Sequence, residues 1–200
     1  IRDQPRSRGR GDVYKRQNKD RTIILDTGFS VETANLRGRE YLRDPGTGLK
    51  MIGINPSKIE NVVISHMHYD HAGNEELFPN ARYHLQDGEM EFCTGRHMCK
   101  DDSKYAFSES DVIAMVRRVY AGRVQFHDGT SEIAPGITLH RIGGRTMGLQ
   151  VVRIWTTRGW VVLASDASHF YANMEQKRPF PIVYDIGEML KGFELTLIHI

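Results

Sequence analysis

Residues 66–71 read His66-Met67-His68-Tyr69-Asp70-His71, four potential metal ligands in six positions, directly after the apolar run Val62-Val63-Ile64 and directly before Ala72-Gly73-Asn74. Side chains alternate along a strand, so His66 and His68 leave the strand end pointing the same way, while the turn that follows can swing Asp70 and His71 toward a second point. Two neighbouring metal sites are the expected outcome. Neutral imidazole and carboxylate suit zinc, iron, cobalt or manganese, and a donor set without thiolate leaves such ions Lewis acidic and open to water. The competing reading, histidines scattered in a loop, must place this block behind a strand by chance.

The block resembles the His-x-His-x-Asp-His motif of the metallo-β-lactamase superfamily, and the resemblance covers about residues 21–195. Ile23-Ile24-Leu25-Asp26-Thr27-Gly28 is similar to the family's strand and turn ending in Asp-Thr-Gly, and Val161-Val162-Leu163-Ala164-Ser165-Asp166 to the later strand that ends in a metal-bridging aspartate. Within the superfamily, Gly143-Gly144-Arg145-Thr146-Met147-Gly148-Leu149-Gln150 and Asp166-Ala167-Ser168 most resemble the N-acyl-homoserine lactonase group. The resemblance implies a four-layer αββα sandwich and two divalent metal ions, zinc first, with iron, cobalt or manganese as alternatives. It places His66 and His68 on the first ion, Asp70 and His71 on the second, and Asp166 across both. The implied reaction is the opening of a lactone or related ester, with metals about 3.5–4 Å apart holding a bridging hydroxide. Asp70 is the candidate to orient that nucleophile or move its proton. His169 stands where the lactonases carry a substrate-contacting tyrosine, and with Tyr171 it forms the second rank of catalytic candidates. Tyr69 is read as packing. A thioesterase of the glyoxalase II type or a β-lactamase would suit the same dinuclear site, so reaction class is better supported than substrate.

Two departures matter. The family places a histidine ligand in a Gly-Gly-His-Thr stretch, and this chain has Arg145 there, a guanidinium with no lone pair to give a cation. Natural divergence, a single-base error in the underlying read, or rescue by a nearby histidine such as His140 are the three explanations. His140 lies in the alternating stretch Ile137-Thr138-Leu139-His140-Arg141-Ile142, which reads as a strand and makes it a poor substitute. The family's last histidine, in a Pro-Gly-His stretch after a further strand, has no counterpart around His199. A different class follows from the first departure: an inactive, metal-poor relative used as a binding module, its guanidinium neutralising Asp166 or Asp70.

Residues 1–17, with five arginines, resemble translated sequencing-adapter read-through and are set aside, which leaves 18–200 as a single metallo-hydrolase domain expected to be incomplete at both ends. A genuine basic arm is the alternative. Of 27 Lys+Arg and 25 Asp+Glu, eight and three fall in residues 1–21, so the remainder carries a net charge of −3 and nothing in it suggests a polyanionic partner. No nucleic acid and no membrane are expected, cytoplasm is the default location, the partner is a small lactone or ester, and oligomeric state is unreadable. Cys93 and Cys99 are expected to be reduced, partly buried thiols.

Strands are expected near 21–26, 60–65, 81–86, 122–127, 136–142, 149–156 and 158–165, and helices near 86–98, 109–119 and 185–195. Ser108-Glu109-Ser110-Asp111 supplies cap residues ahead of the apolar face Val112, Ile113, Met115 and Val116. Thr157-Arg158-Gly159 joins the last two strands as a hairpin whose far end delivers Asp166. Phe92, Met98, Met147 and Phe180 are divided between core and acyl pocket only by coordinates.

Overall fold

The computed structural model describes residues 21–199, with side chains through residue 196. Residues 1–17, expected to be read-through, lie outside the described residues. Two four-stranded sheets carry the domain. The first is parallel throughout, in the order β1 (Ile23–Leu25), β2 (Asn61–Val63), β3 (Arg82–Gln86), β4 (Val124–His127). The second is an antiparallel meander of β5 (Thr130–Ala134), β6 (Ile137–Arg141), β7 (Gln150–Thr156) and β8 (Gly159–Leu163).

A parallel sheet needs cover on both faces, and the strand period supplies it. On β2, Val62 and then Ile64 beyond its end face the helices, joining Tyr83, Leu85, Phe92, Phe107 and Met115. Val63, between them, faces the second sheet and packs with Leu139 and Val152. These side chains are almost fully buried, and each contributes about 1.5–3 kcal/mol by leaving water. A polar tie crosses the same layer: Gln150 Nε2 donates to the carbonyls of Ile64 and His84 and Gln86 Nε2 donates to Gln150 Oε1. The outer helical layers are α4 (Asp87–Thr94) and α6 (Glu109–Tyr120) on the first sheet and α8 (Ile186–His199) beside β8 on the second. The order is the expected αββα sandwich.

Element boundaries differ from the sequence reading in several places. The helix expected over 86–98 stops at Thr94, where Gly95 turns extended (φ −94°, ψ −169°) in a place where a Cβ would stand 2.5 Å from the Glu91 carbonyl oxygen, and a 3-10 turn over Arg96–Cys99 follows. Strand β5 was not expected. It has only two apolar residues, Ile133 and Ala134, none of its residues is fully buried, and a bulge interrupts it between Glu132 and Ala134. Short helices α1 (Val31–Leu36), α2 (Pro45–Met51), α3 (Tyr69–Ala72), α5 (Asp101–Lys104) and α7 (Tyr171–Glu175) also went unread. On α6, Met115 is the buried centre of the apolar face while Ile113 is 41% exposed, and the Ser108 hydroxyl binds Ser110 instead of capping the backbone. Both cysteines are free, Cys93 buried and Cys99 exposed. Among the described residues no helix is long and apolar enough to cross a membrane.

Candidate metal centre

Both sheets end at one rim, and the ligand block sits there. Beyond β2 the chain runs extended through Ser65–His68 and closes into α3. His66 and His68 point the same way, with His66 Nε2 3.0 Å from His68 Nδ1, and the ring of His71 returns to 4.2 Å from that of His66. From the second sheet, β8 leads through Ala164 to Ser165, whose positive φ of 46° turns Asp166 back toward the histidines. Asp166 Oδ2 lies 3.7 Å from His66 Nε2 and Oδ1 lies 3.6 Å from His71 Nε2. Among the described residues, His66, His71 and Asp166 form a group whose donor atoms all fall within 4.8 Å of one another. Asp70 stands at the edge, 41% exposed, with Oδ2 3.8 Å from His71 Nε2.

Hydrogen bonds set which nitrogens face the cluster. The Ser65 hydroxyl donates to Asp26 Oδ2 at 2.8 Å, which leaves its oxygen to accept from His66 Nδ1 at 3.0 Å, so that His66 presents Nε2 with its lone pair inward. Asp26 also accepts from the Ser65 amide at 2.7 Å and from His71 Nδ1 at 2.8 Å, which orients His71 Nε2 toward Asp166. Burial, then the neighbouring His68, His71 and Arg145, push His66 well below the ordinary imidazole pKa, and burial and Arg145 do the same to His68. Both are neutral, the form that ligates. At His71 burial also acts downward, but the Asp26 bond and charge, with Asp166 and Asp70, outweigh it and raise the pKa.

Glu89, on α4 and fully buried, accepts from the Met67 amide at 2.7 Å, the Thr146 hydroxyl at 2.5 Å and the Gly148 amide at 3.0 Å. One carboxylate thus joins the ligand block to the 142–149 loop. Sequence reasoning missed Asp26, Ser65, Ser165 and Glu89 as site residues. Asp26 alone had a signal, as the end of a strand in Asp-Thr-Gly.

Arg145 is 8% exposed; its Nε donates to Asp166 Oδ2 at 3.0 Å and its Nη1 to the Ile182 carbonyl at 2.6 Å. His140 is on β6, with Nε2 2.8 Å from Thr138 Oγ1, and is not drawn into the centre. His169 Nε2 is 3.3 Å from Asp166 Oδ2, and its ring stacks on Phe180 at 3.7 Å. Tyr171 is 76% exposed and shares with His169 the wall of a groove of about 600 Å³, without a bond to the cluster among the described residues. Tyr69 packs between Phe29 and the Arg37 guanidinium. Phe92 belongs to the core and Met98 and Met147 lean on it, whereas Phe180 lies beneath His169.

The donor chemistry tests whether a metal fits. Ligands around one tetrahedral zinc stand about 3.4 Å apart for bonds of about 2.1 Å, close to the 3.6 Å between His71 Nε2 and Asp166 Oδ1, whereas Asp70 stands outside the group of converging donors. That side fits an ion. On the Oδ2 side a guanidinium already sits at 3.0 Å. A divalent ion about 4 Å from it would meet repulsion on the order of 8 kcal/mol at an effective dielectric of about 20.

The sequence model of the metallo-beta-lactamase superfamily matches residues 9–189. An N-acyl homoserine lactonase, AiiB, of Agrobacterium fabrum is 30% identical across 94% of this chain and 72% of its own length. An N-acyl homoserine lactonase of Bacillus cereus is 29% identical across 84% of this chain and 67% of its own. Among solved structures, a quorum-quenching N-acyl homoserine lactone lactonase superposes with a TM-score of 0.75 at 24% identity, covering 90% of this chain and 70% of the other, a likeness of fold. A family match across most of the sequence, a relative at 30% identity and the shared two-sheet architecture lead to one conclusion: the chain belongs to the metallo-beta-lactamase superfamily, whose fold and lactonase relatives imply divalent metal ions.

Proposed function

We propose that the chain is a metal-dependent hydrolase that opens the ring of N-acyl homoserine lactones or closely related esters. The observation that carries this reading is the convergence of His66, His71 and Asp166 donor atoms within 4.8 Å at a rim open to solvent, in a chain whose relatives bear lactonase names. His66, His71 and Asp166, with Asp70 at the edge and His68 beside His66, would hold the metal, and zinc is the ion proposed. When bound, it supplies Lewis acidity toward an ester carbonyl and toward water.

The chain's own groups do the rest. Water adds to the lactone carbonyl carbon, the ring C–O bond breaks, and the departing oxygen needs a proton. Asp70, 41% exposed, would take a proton from the water and pass it to that oxygen. His169, held flat against Phe180, would donate a hydrogen bond to a substrate oxygen at the rim. Tyr171 supplies the exposed wall beside it. The cytoplasm as location, and the absence of any nucleic-acid partner, remain part of this proposal.

The Arg145–Asp166 bond favours one second reading, a metal-poor binding module in which the guanidinium satisfies the carboxylate. Incubating the zinc-loaded chain with a homoserine lactone, a glutathione thioester, a β-lactam and a phosphodiester separates the possibilities. Turnover confined to the lactone supports the lactonase reading; turnover of the thioester or β-lactam reassigns the substrate within the family; none on any substrate, with folded protein, favours the binding module.

A further inference from the structure

We propose that Arg145 is a resident cation of this centre, so that the chain holds one divalent ion where its donors could otherwise take two. This deepens the metal-dependent reading and rests on it. The two oxygens of Asp166 serve different partners. Oδ1 faces His71 Nε2 at 3.6 Å, and Asp70 Oδ2 is 3.8 Å from that nitrogen. Oδ2 instead receives Arg145 Nε at 3.0 Å, with His169 Nε2 at 3.3 Å and His66 Nε2 at 3.7 Å around it.

Arg145 is not a surface side chain that can swing aside. It is buried, its Nη1 is tied to the Ile182 carbonyl, and its Cζ lies 5.6 Å from the centre of the Phe180 ring. The loop that carries it is fixed as well: the Gly144 carbonyl accepts from the amides of Tyr184 and Asp185, so the loop and the 182–185 segment are bound together behind the guanidinium. A guanidinium has no lone pair, so it cannot join a metal's ligands. An ion on His66 and His68 would have to share Asp166 Oδ2 with it. An ion held through His71 and Asp166 Oδ1 would not. The Oδ2 side therefore offers N–H donors, from Arg145 and His169, in place of a second Lewis acid. The site thereby keeps two cations, one bound and one built in, against the same bridging carboxylate.

The test is metal content of the full chain and of Arg145→His, Arg145→Lys and Arg145→Gln, loaded with zinc, desalted and measured by elemental analysis, with circular dichroism confirming the fold and calorimetric titration giving affinity. One zinc per chain is expected in the native protein and in Arg145→Lys, and two in Arg145→His. Arg145→Gln should bind its ion about tenfold tighter or more, because a repelling charge is gone. Two zinc ions in the native chain overturn the proposal and leave the metal-dependent reading standing, as does a folded Arg145→His that stays at one. If Arg145→His does not fold, unchanged affinity in Arg145→Gln overturns it. No zinc in any folded protein removes the metal-dependent reading and this proposal together.

Discussion

Asp26 Oδ2 lies 2.8 Å from His71 Nδ1, and this bond aims His71 Nε2 at Asp166 Oδ1, 3.6 Å away. Asp26 holds the position from a left-handed backbone, φ 59°, which Asn adopts as readily as Asp. Asp26→Asn therefore keeps the backbone and removes the charge, and should weaken zinc binding about 10–100-fold with little change in melting temperature. Calorimetric titration checks this; native affinity in the variant would deny Asp26 any role in orienting His71.

Glu89 serves as a three-way acceptor for Met67, Thr146 and Gly148. Glu89→Ala strands two buried amides and a hydroxyl and should cost about 3–5 kcal/mol in denaturant unfolding. Glu89→Gln retains acceptor capacity on one oxygen only and should cost less. Equal stability of Glu89→Ala and the native chain would show that the 142–149 loop is held by other contacts.

Gly144 has φ 84°, and a Cβ there would stand 2.5 Å from Met189 Cα on α8. Strain and overlap both fall on backbone, so Gly144→Ala should destabilise by roughly 2 kcal/mol or more. Thermal melting reads it, and an unshifted transition would mean that α8 does not seat on this loop.

His84 gives a pH dependence remote from the metal centre. Burial first, then His127, pushes its pKa down to about 4, and its ring nitrogens meet His127 and Asn61 at 3.0 Å each. Its folded pKa lies below the unfolded value of 6.5, so the unfolded chain binds the extra proton between the two. The stability it contributes is present above pH 6.5 and is lost as pH falls toward 4, on the order of 3 kcal/mol in all. Unfolding curves at pH 7.5 and pH 4.5 should show a smaller loss for His84→Gln than for the native chain, and parallel losses would refute the assignment.

What was legible in the sequence was what periodicity and ligand spacing carry. The Val62–Ile64 run, the Thr157-Arg158-Gly159 hairpin and the ligand block named both sheets and the rim where they meet. Strand β5 was hidden because an edge strand with a bulge needs few apolar residues. The short helices were hidden because seven residues or fewer carry no apolar stripe, and α1 and α2 are marked instead by the caps Ser30 and Asp44, whose side chains accept from Thr33 and Thr47. Asp26 and Glu89, and the Asp26 bonds of Ser65, escaped because these pairings run across 39 or more residues, or across 22 and 59, and only the fold creates them. Arg145 was visible as a misfit, but its bond to Asp166 Oδ2 and its burial required coordinates.

In the proposed reaction, hydrolysis depends on metal held around Asp166. The most direct measurement follows proton release from an N-acyl homoserine lactone with the chain stripped by chelator, the same chain reloaded with zinc, and Asp166→Asn reloaded likewise. The account predicts no ring opening by stripped protein, recovery on reloading, and a loss of at least about a hundredfold in Asp166→Asn. Equal rates for stripped and reloaded protein, or native turnover by Asp166→Asn, would contradict it.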